Sequence, residues 1–126
     1  MVTDQRWLDK MQEAAPVFQP MLKNPRPDLL QLEGEIDLHI SPEVADSLRS
    51  MIEKKPRLLV VDLKKVTYLD SSGLAVLIEA MQSVREYGGK FALAGVQENV
   101  HHIFEIARLD QVFLIFPDVD SALAAN

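Results

Sequence analysis

From residue 28 onward the chain switches its hydrophobic period repeatedly, between short apolar or alternating runs and stripes at a spacing near 3.6 residues. The stretch LLQLEGEIDL (29–38) alternates apolar and polar side chains, as a strand with one wet face does. Ser41-Pro42-Glu43 reads as a helix start, with Ser41 as cap, proline in the first turn and Glu43 set against the helix dipole. Val44, Ala45, Leu48, Met51 and Ile52 then form one apolar stripe. The run RLLVVDL (57–63) is nearly continuous, which predicts a central strand covered on both faces. After Asp70-Ser71-Ser72-Gly73 a second stripe runs through Leu74, Leu77, Ile78, Met81 and Val84 and ends at Gly88-Gly89. Residues 90–96 predict the next strand and 98–109 a third helix, with Val100, Ile103, Phe104 and Ala107 facing inward. Residues 112–116 predict a last strand and 118–125 a terminal helix led in by Pro117.

Upstream, Trp7, Leu8, Met11 and Ala15 recur at helical spacing and predict a short amphipathic helix over 3–15, capped by Thr3 and stopped by Pro16. It reads either as a docking or homodimerisation arm, or as a helix that packs on its own domain or a frayed tail. Pro16, Pro20, Pro25 and Pro27 confine any strand in VFQPMLK to a sheet edge, with NPRPD as the following turn. The chain therefore divides into an N-terminal extension, 1–27, and a domain, 28–126. Repeated strand–helix units with short links imply the α/β class: a mixed, mostly parallel sheet with four helices, its opening strand pair antiparallel.

Composition narrows the functions more than the fold. The 126 residues suffice for one domain, and an apolar content of 48% supports one core. A net charge of −6 argues against nucleic acid as partner, because phosphate neutralisation needs a basic surface. Lys54-Lys55 and Lys64-Lys65 are isolated pairs that read as solvated element ends. There is no cysteine, which excludes disulfides, thiolate chemistry and cysteine metal ligands. The N-terminus has early acids and no apolar core of a secretory signal, and no apolar run approaches membrane-spanning length, so the expected location is the cytoplasm.

The candidate chemistry concentrates at Asp70-Ser71-Ser72-Gly73. A serine nucleophile would need G-x-S-x-G, and the first glycine is missing. A base would have to come from His39, His101 or His102. Glu98 with His102, and His101 with Glu105, have the four-residue spacing of helix-borne metal ligands, but no third ligand is implied. Asp70 as a phosphoacceptor would need an acidic pair and a lysine after the last strand, and that strand ends LIFPDVD; Glu35 and Asp37 lie two apart on one strand. Neither phosphate-binding glycine signature is present. No catalytic residue, cofactor or metal is therefore expected. Two readings remain. Ser71 or Ser72 caps the following helix, or one of them takes a regulatory phosphate where the helix dipole favours negative charge and the surface changes sign. Gly73, lacking a side chain, would let a partner's backbone approach the helix start.

Three segments resemble the STAS domain family, and within it the single-domain anti-sigma factor antagonists of the sporulation and stress-response type. They are LEGEIDLHISPEV (32–44), LLVVDLKKVTYLDSSGLAVLIEA (58–80) and GGKFALAGV (88–96); HHIFEIARLDQVF (101–113) follows the family's closing pattern. The resemblance implies partner switching rather than enzyme activity. The unphosphorylated antagonist binds an anti-sigma factor that is also a serine kinase, the kinase phosphorylates it, and a PP2C-type phosphatase resets it. Carried over, the phosphosite is Ser71, with Ser72 as a lesser acceptor. Asp37 matches the family aspartate whose loop lies beside the phosphosite, and Asp70 matches the acid before the serine; with Gly73 these residues form the expected partner surface. His39, in the loop LHIS, either tunes partner choice or is simply exposed. Residues 1–27 are longer and richer in proline than the family's opening strand. The alternative is a STAS subunit docked on a larger assembly, such as a lipid ABC transporter or a stressosome-like scaffold.

Overall fold

The computed structural model describes residues 28–125; the expected helix over 3–15 and the expected edge strand in VFQPMLK lie outside the described residues. Strands and helices alternate throughout: β1 (Asp28–Ile36), α1 (Ser41–Ile52), β2 (Leu58–Leu69), α2 (Ser71–Glu86), β3 (Lys90–Ala94), α3 (Glu98–Ile106), β4 (Leu114–Phe116) and α4 (Val119–Ala124). The four strands form one sheet in the order β1-β2-β3-β4, every pair parallel. Parallel neighbours need a crossover, which α1, α2 and α3 supply, while α4 follows the last strand. The antiparallel partner expected for β1 falls on the undescribed segment.

The side-chain alternation of β2 distributes the core over both faces of the sheet. Leu59, Val61 and Leu63 face one way, into a cluster with Val44 and Leu48 of α1, Leu77, Met81 and Val84 of α2, and Val100 and Phe104 of α3. Leu58 and Val60 face the other way, with Ala92 and Ala94 of β3 and Ala122 of α4. The small alanines of β3 suit the thinner layer under the six-residue α4. Asp62 follows on that second face and is buried; its carboxylate accepts from the Gln31 side-chain amide at 3.1 Å and the Lys64 amide at 2.9 Å. Ala107, expected to face inward, is the exposed C-cap of α3.

β2 runs six residues beyond the apolar run that announced it. Among the described residues it pairs past Asp62 only with β1, through two register shifts. Its other edge is closed by side chains: Gln97 Nε2 donates to the Lys64 carbonyl at 2.7 Å and Asn99 Nδ2 to the Thr67 carbonyl at 2.9 Å. Lys64, Lys65, Thr67 and Tyr68 are exposed while Val66 and Leu69 stay buried. α2 ends as the paired glycines require, with Gly88 at φ +88° and the Gly89 amide donating back to the Val84 carbonyl.

Candidate functional site

The carboxyl ends of β1 and β2 lie side by side, with Ile36 opposite Leu69 and the Asp70 amide donating to the Ile36 carbonyl at 3.2 Å. The next residue on each strand, Asp37 and Asp70, therefore opens one of two adjacent turns. Asp70 is the N-cap of α2. Its backbone is extended, and its Oδ1 accepts from the Ser72 amide at 2.9 Å, the Gly73 amide at 3.1 Å and the Ser72 hydroxyl at 2.6 Å. The Ser72 hydroxyl is the largest of the influences that hold the Asp70 carboxyl below its ordinary value; the Gly73, Ser72 and Leu38 amides add to it and partial desolvation opposes it.

Neither serine caps the helix, which corrects that expectation. Ser71 is the first helical residue, exposed, and among the described residues its hydroxyl makes no hydrogen bond. Ser72 is half-buried and bound to Asp70. Asp70→Ala is expected to lower the midpoint of thermal unfolding while Asp70→Asn, a good cap, stays near the parent; a melting curve of each checks this. Because the folded-state value is depressed, the Asp70 contribution is present above the ordinary aspartate range and disappears as pH falls through the lowered value. Asp70→Asn is therefore expected to flatten part of the loss of stability at acid pH, below about 4, in melts run from pH 7 to pH 2.

Asp37 builds the neighbouring turn. Its Oδ1 accepts from the His39 amide at 3.0 Å and the Ile40 amide at 3.2 Å, and its carbonyl accepts from the Ser41 amide at 2.8 Å. This turn does what Ser41 was expected to do. Ser41 lies inside α1, only 4% exposed, and the N-cap Ile40 makes no side-chain capping bond. The turn also holds Leu38 and Ile40 out in solvent, 69% and 36% exposed, beside the start of α2. The alternation of β1 does not single these two out; the signal in the sequence is a pair of apolar residues flanking His39 in a turn too short to bury them.

Gly73 has a different reason from the one expected. It is buried, and a Cβ there would stand 2.9 Å from Leu69 Cδ2, 3.0 Å from the Ile36 carbonyl oxygen and 3.1 Å from Ile36 Cγ2. The space its missing side chain leaves is taken by the protein's own strand ends, not offered to a partner.

The histidines lie apart from the serines. His39 is exposed in the Asp37 turn, and His101 and His102 both pair with Glu105 on α3, at 3.5 and 3.0 Å. Among the described residues no histidine ring bonds to Ser71 or Ser72, and no three His, Asp or Glu side chains are placed to hold a metal ion. Among the same residues no helix is long and apolar enough to cross a membrane. The site thus gathers Asp37, Asp70, Ser71 and Ser72 on one rim, with Gly73 beneath and Leu38 and Ile40 alongside.

Comparison with known proteins matches this fold and sequence to a family. The model of the STAS domain family matches residues 20–122, and the chain belongs to that family. The match begins inside the stretch read as an extension. An anti-sigma-B factor antagonist of Listeria monocytogenes is 34% identical over 82 residues, covering 65% of this chain and 72% of its own. Among solved structures, an anti-sigma factor antagonist from Mycobacterium paratuberculosis superposes with a TM-score of 0.72 at 26% identity, over 79% of this chain and 84% of the other. A sulfate transporter family protein from Wolinella succinogenes superposes at 0.68 and 20% identity, over 79% and 83%, a likeness of fold.

Proposed function

We propose that this chain is an anti-sigma factor antagonist controlled by phosphorylation of Ser71. Unmodified, it binds an anti-sigma factor that is also a serine kinase and so frees a sigma factor; phosphorylated, it lets go, and a PP2C-type phosphatase restores it. It acts by binding rather than by catalysis, and it works in the cytoplasm. The observation that carries this reading is the exposed Ser71 hydroxyl, unbonded among the described residues, on a helix start already capped by Asp70. A phosphate there adds about −1.5 to −2 charges without displacing a bond that the fold uses. It does so beside the exposed Leu38 and Ile40, where a docked partner would have to strip water from the new charge. The antagonist names of the relatives support the same reading.

The test is intact mass of the protein from its native host, with phosphatases inhibited, followed by mapping of the peptide spanning 66–85. A phosphate on Ser71 is the expected result. No phosphate would overturn the switch and leave the docked-subunit reading, in which the same surface is a permanent contact in a larger assembly.

A further inference from the structure

Two hydroxyls stand side by side at the start of α2 in opposite surroundings. Ser71 is exposed, and Ser72 donates to Asp70 Oδ1 at 2.6 Å, a length typical of a charge-assisted bond. The same oxygen takes the Ser72 and Gly73 amides, the donors of the first turn that would otherwise meet an anion. We propose that Asp70 is the specificity-determining residue of this site: by holding the Ser72 hydroxyl and the two amides, it leaves Ser71 as the hydroxyl that can take and keep a phosphoryl group. This rests on the phosphorylation reading above and adds the reason for one serine over its neighbour.

The chemistry distinguishes the two at both ends of the step. Transfer from a nucleoside triphosphate forms a P–O bond to a serine Oγ and breaks the bond from the γ-phosphorus to the β-phosphate oxygen. It releases the nucleoside diphosphate and passes the hydroxyl proton to a base on the kinase. The Ser72 proton instead points at Asp70, which is a poor base because those three bonds hold its own proton affinity down. After transfer, the Ser72 oxygen would be an ester with no proton to donate, set against a carboxylate oxygen with which it now shares a bond. The phosphate could not turn to the Ser72 and Gly73 amides, because Asp70 occupies them. A phosphate on Ser71 leaves all three Asp70 bonds in place.

The experiment needs no kinase. Phosphoserine is installed during translation at position 71 or at 72, each in the parent chain and in Asp70→Asn, and the four proteins are melted and titrated by phosphorus NMR. In the parent, phosphate at 71 is expected to leave the unfolding midpoint close to that of the unmodified protein, and phosphate at 72 to lower it by about 5 °C or more. In Asp70→Asn, which keeps a cap but removes the charge, that gap should fall by half or more. The second ionisation of the phosphate should drop on Asp70→Asn more at 72 than at 71, because the charge removed lies against the Ser72 oxygen. Equal midpoints for the two phosphoproteins in the parent, or a gap that survives Asp70→Asn, would overturn the proposal. If the parent with phosphate at 72 does not fold, folding of its Asp70→Asn counterpart supports the assignment and failure of both overturns it. None of these readings measures partner release or phosphorylation in the host, so failure here leaves the switch standing, and failure of the switch leaves this result intact.

Discussion

Ser71→Asp is expected to weaken binding to the anti-sigma factor kinase of the same cell by about a hundredfold or more, equivalent to about 2.8 kcal/mol. Ser71→Ala is expected to stay within about tenfold of the parent, since it removes at most one hydrogen bond to the partner. The asymmetry follows from where Ser71 stands. Its side chain is exposed and, among the described residues, unbonded, so neither change should alter stability by more than about 0.5 kcal/mol. What changes is the surface: a carboxylate at 71 joins Asp70 and Asp37 on a rim that also carries Leu38 and Ile40. Docking would then have to desolvate a third negative charge beside an apolar contact. Aspartate carries one charge and phosphate nearly two, so the phosphorylated protein should bind more weakly still. Titration calorimetry of the three proteins against the kinase, with melts alongside, separates surface from fold. Binding of both variants at the parent's affinity would show that the partner does not rest on Ser71.

Much of this arrangement is written in the local pattern, and the departures have physical causes. The helix stripes, the apolar run of β2 and the Gly88-Gly89 stop specify their elements because each is a strong, short-range signal. The length of β2 is not legible that way. Lys64-Lys65 reads as the end of a strand, yet the ladder continues because β1 pairs beyond it and Gln97 and Asn99, more than thirty residues away, close its other edge. The caps misled for a related reason. Serine, aspartate and asparagine all cap well, so in Asp70-Ser71-Ser72 the composition marks a helix start without naming the residue that takes the amides. The structure assigns the cap to Asp70 because its backbone is extended while Ser71 is already helical. At α1 the cap was expected at Ser41, but the Asp37 turn upstream satisfies the first amides. The exposure of Leu38 and Ile40 is not legible in the sequence, because exposure of an apolar residue in a turn is a property of the assembled surface and not of the alternation that surrounds it.

Gly73→Ala is expected to destabilise the fold by about 1–3 kcal/mol, the usual cost of forcing a methyl into a filled site. All three neighbours crowd the new atom at 2.9 to 3.1 Å, and one of them, the Ile36 carbonyl, is backbone that also accepts the Asp70 amide. A flexible side chain such as Leu69 can move aside; the carbonyl cannot do so without loosening the rung that ties β1 to the start of α2. Because Asp37 follows Ile36 directly, any relief of the clash shifts the Asp37 turn, with Leu38 and Ile40, relative to Ser71. Gly73→Ala should therefore weaken partner binding as well, although its side chain would face the protein's own interior and never touch the partner. Chemical denaturation gives the first effect as a lower midpoint at unchanged slope, and calorimetry under fully folded conditions gives the second. Loss of stability with undiminished affinity would mean that the two turns move together, and that the partner reads the rim as one rigid unit.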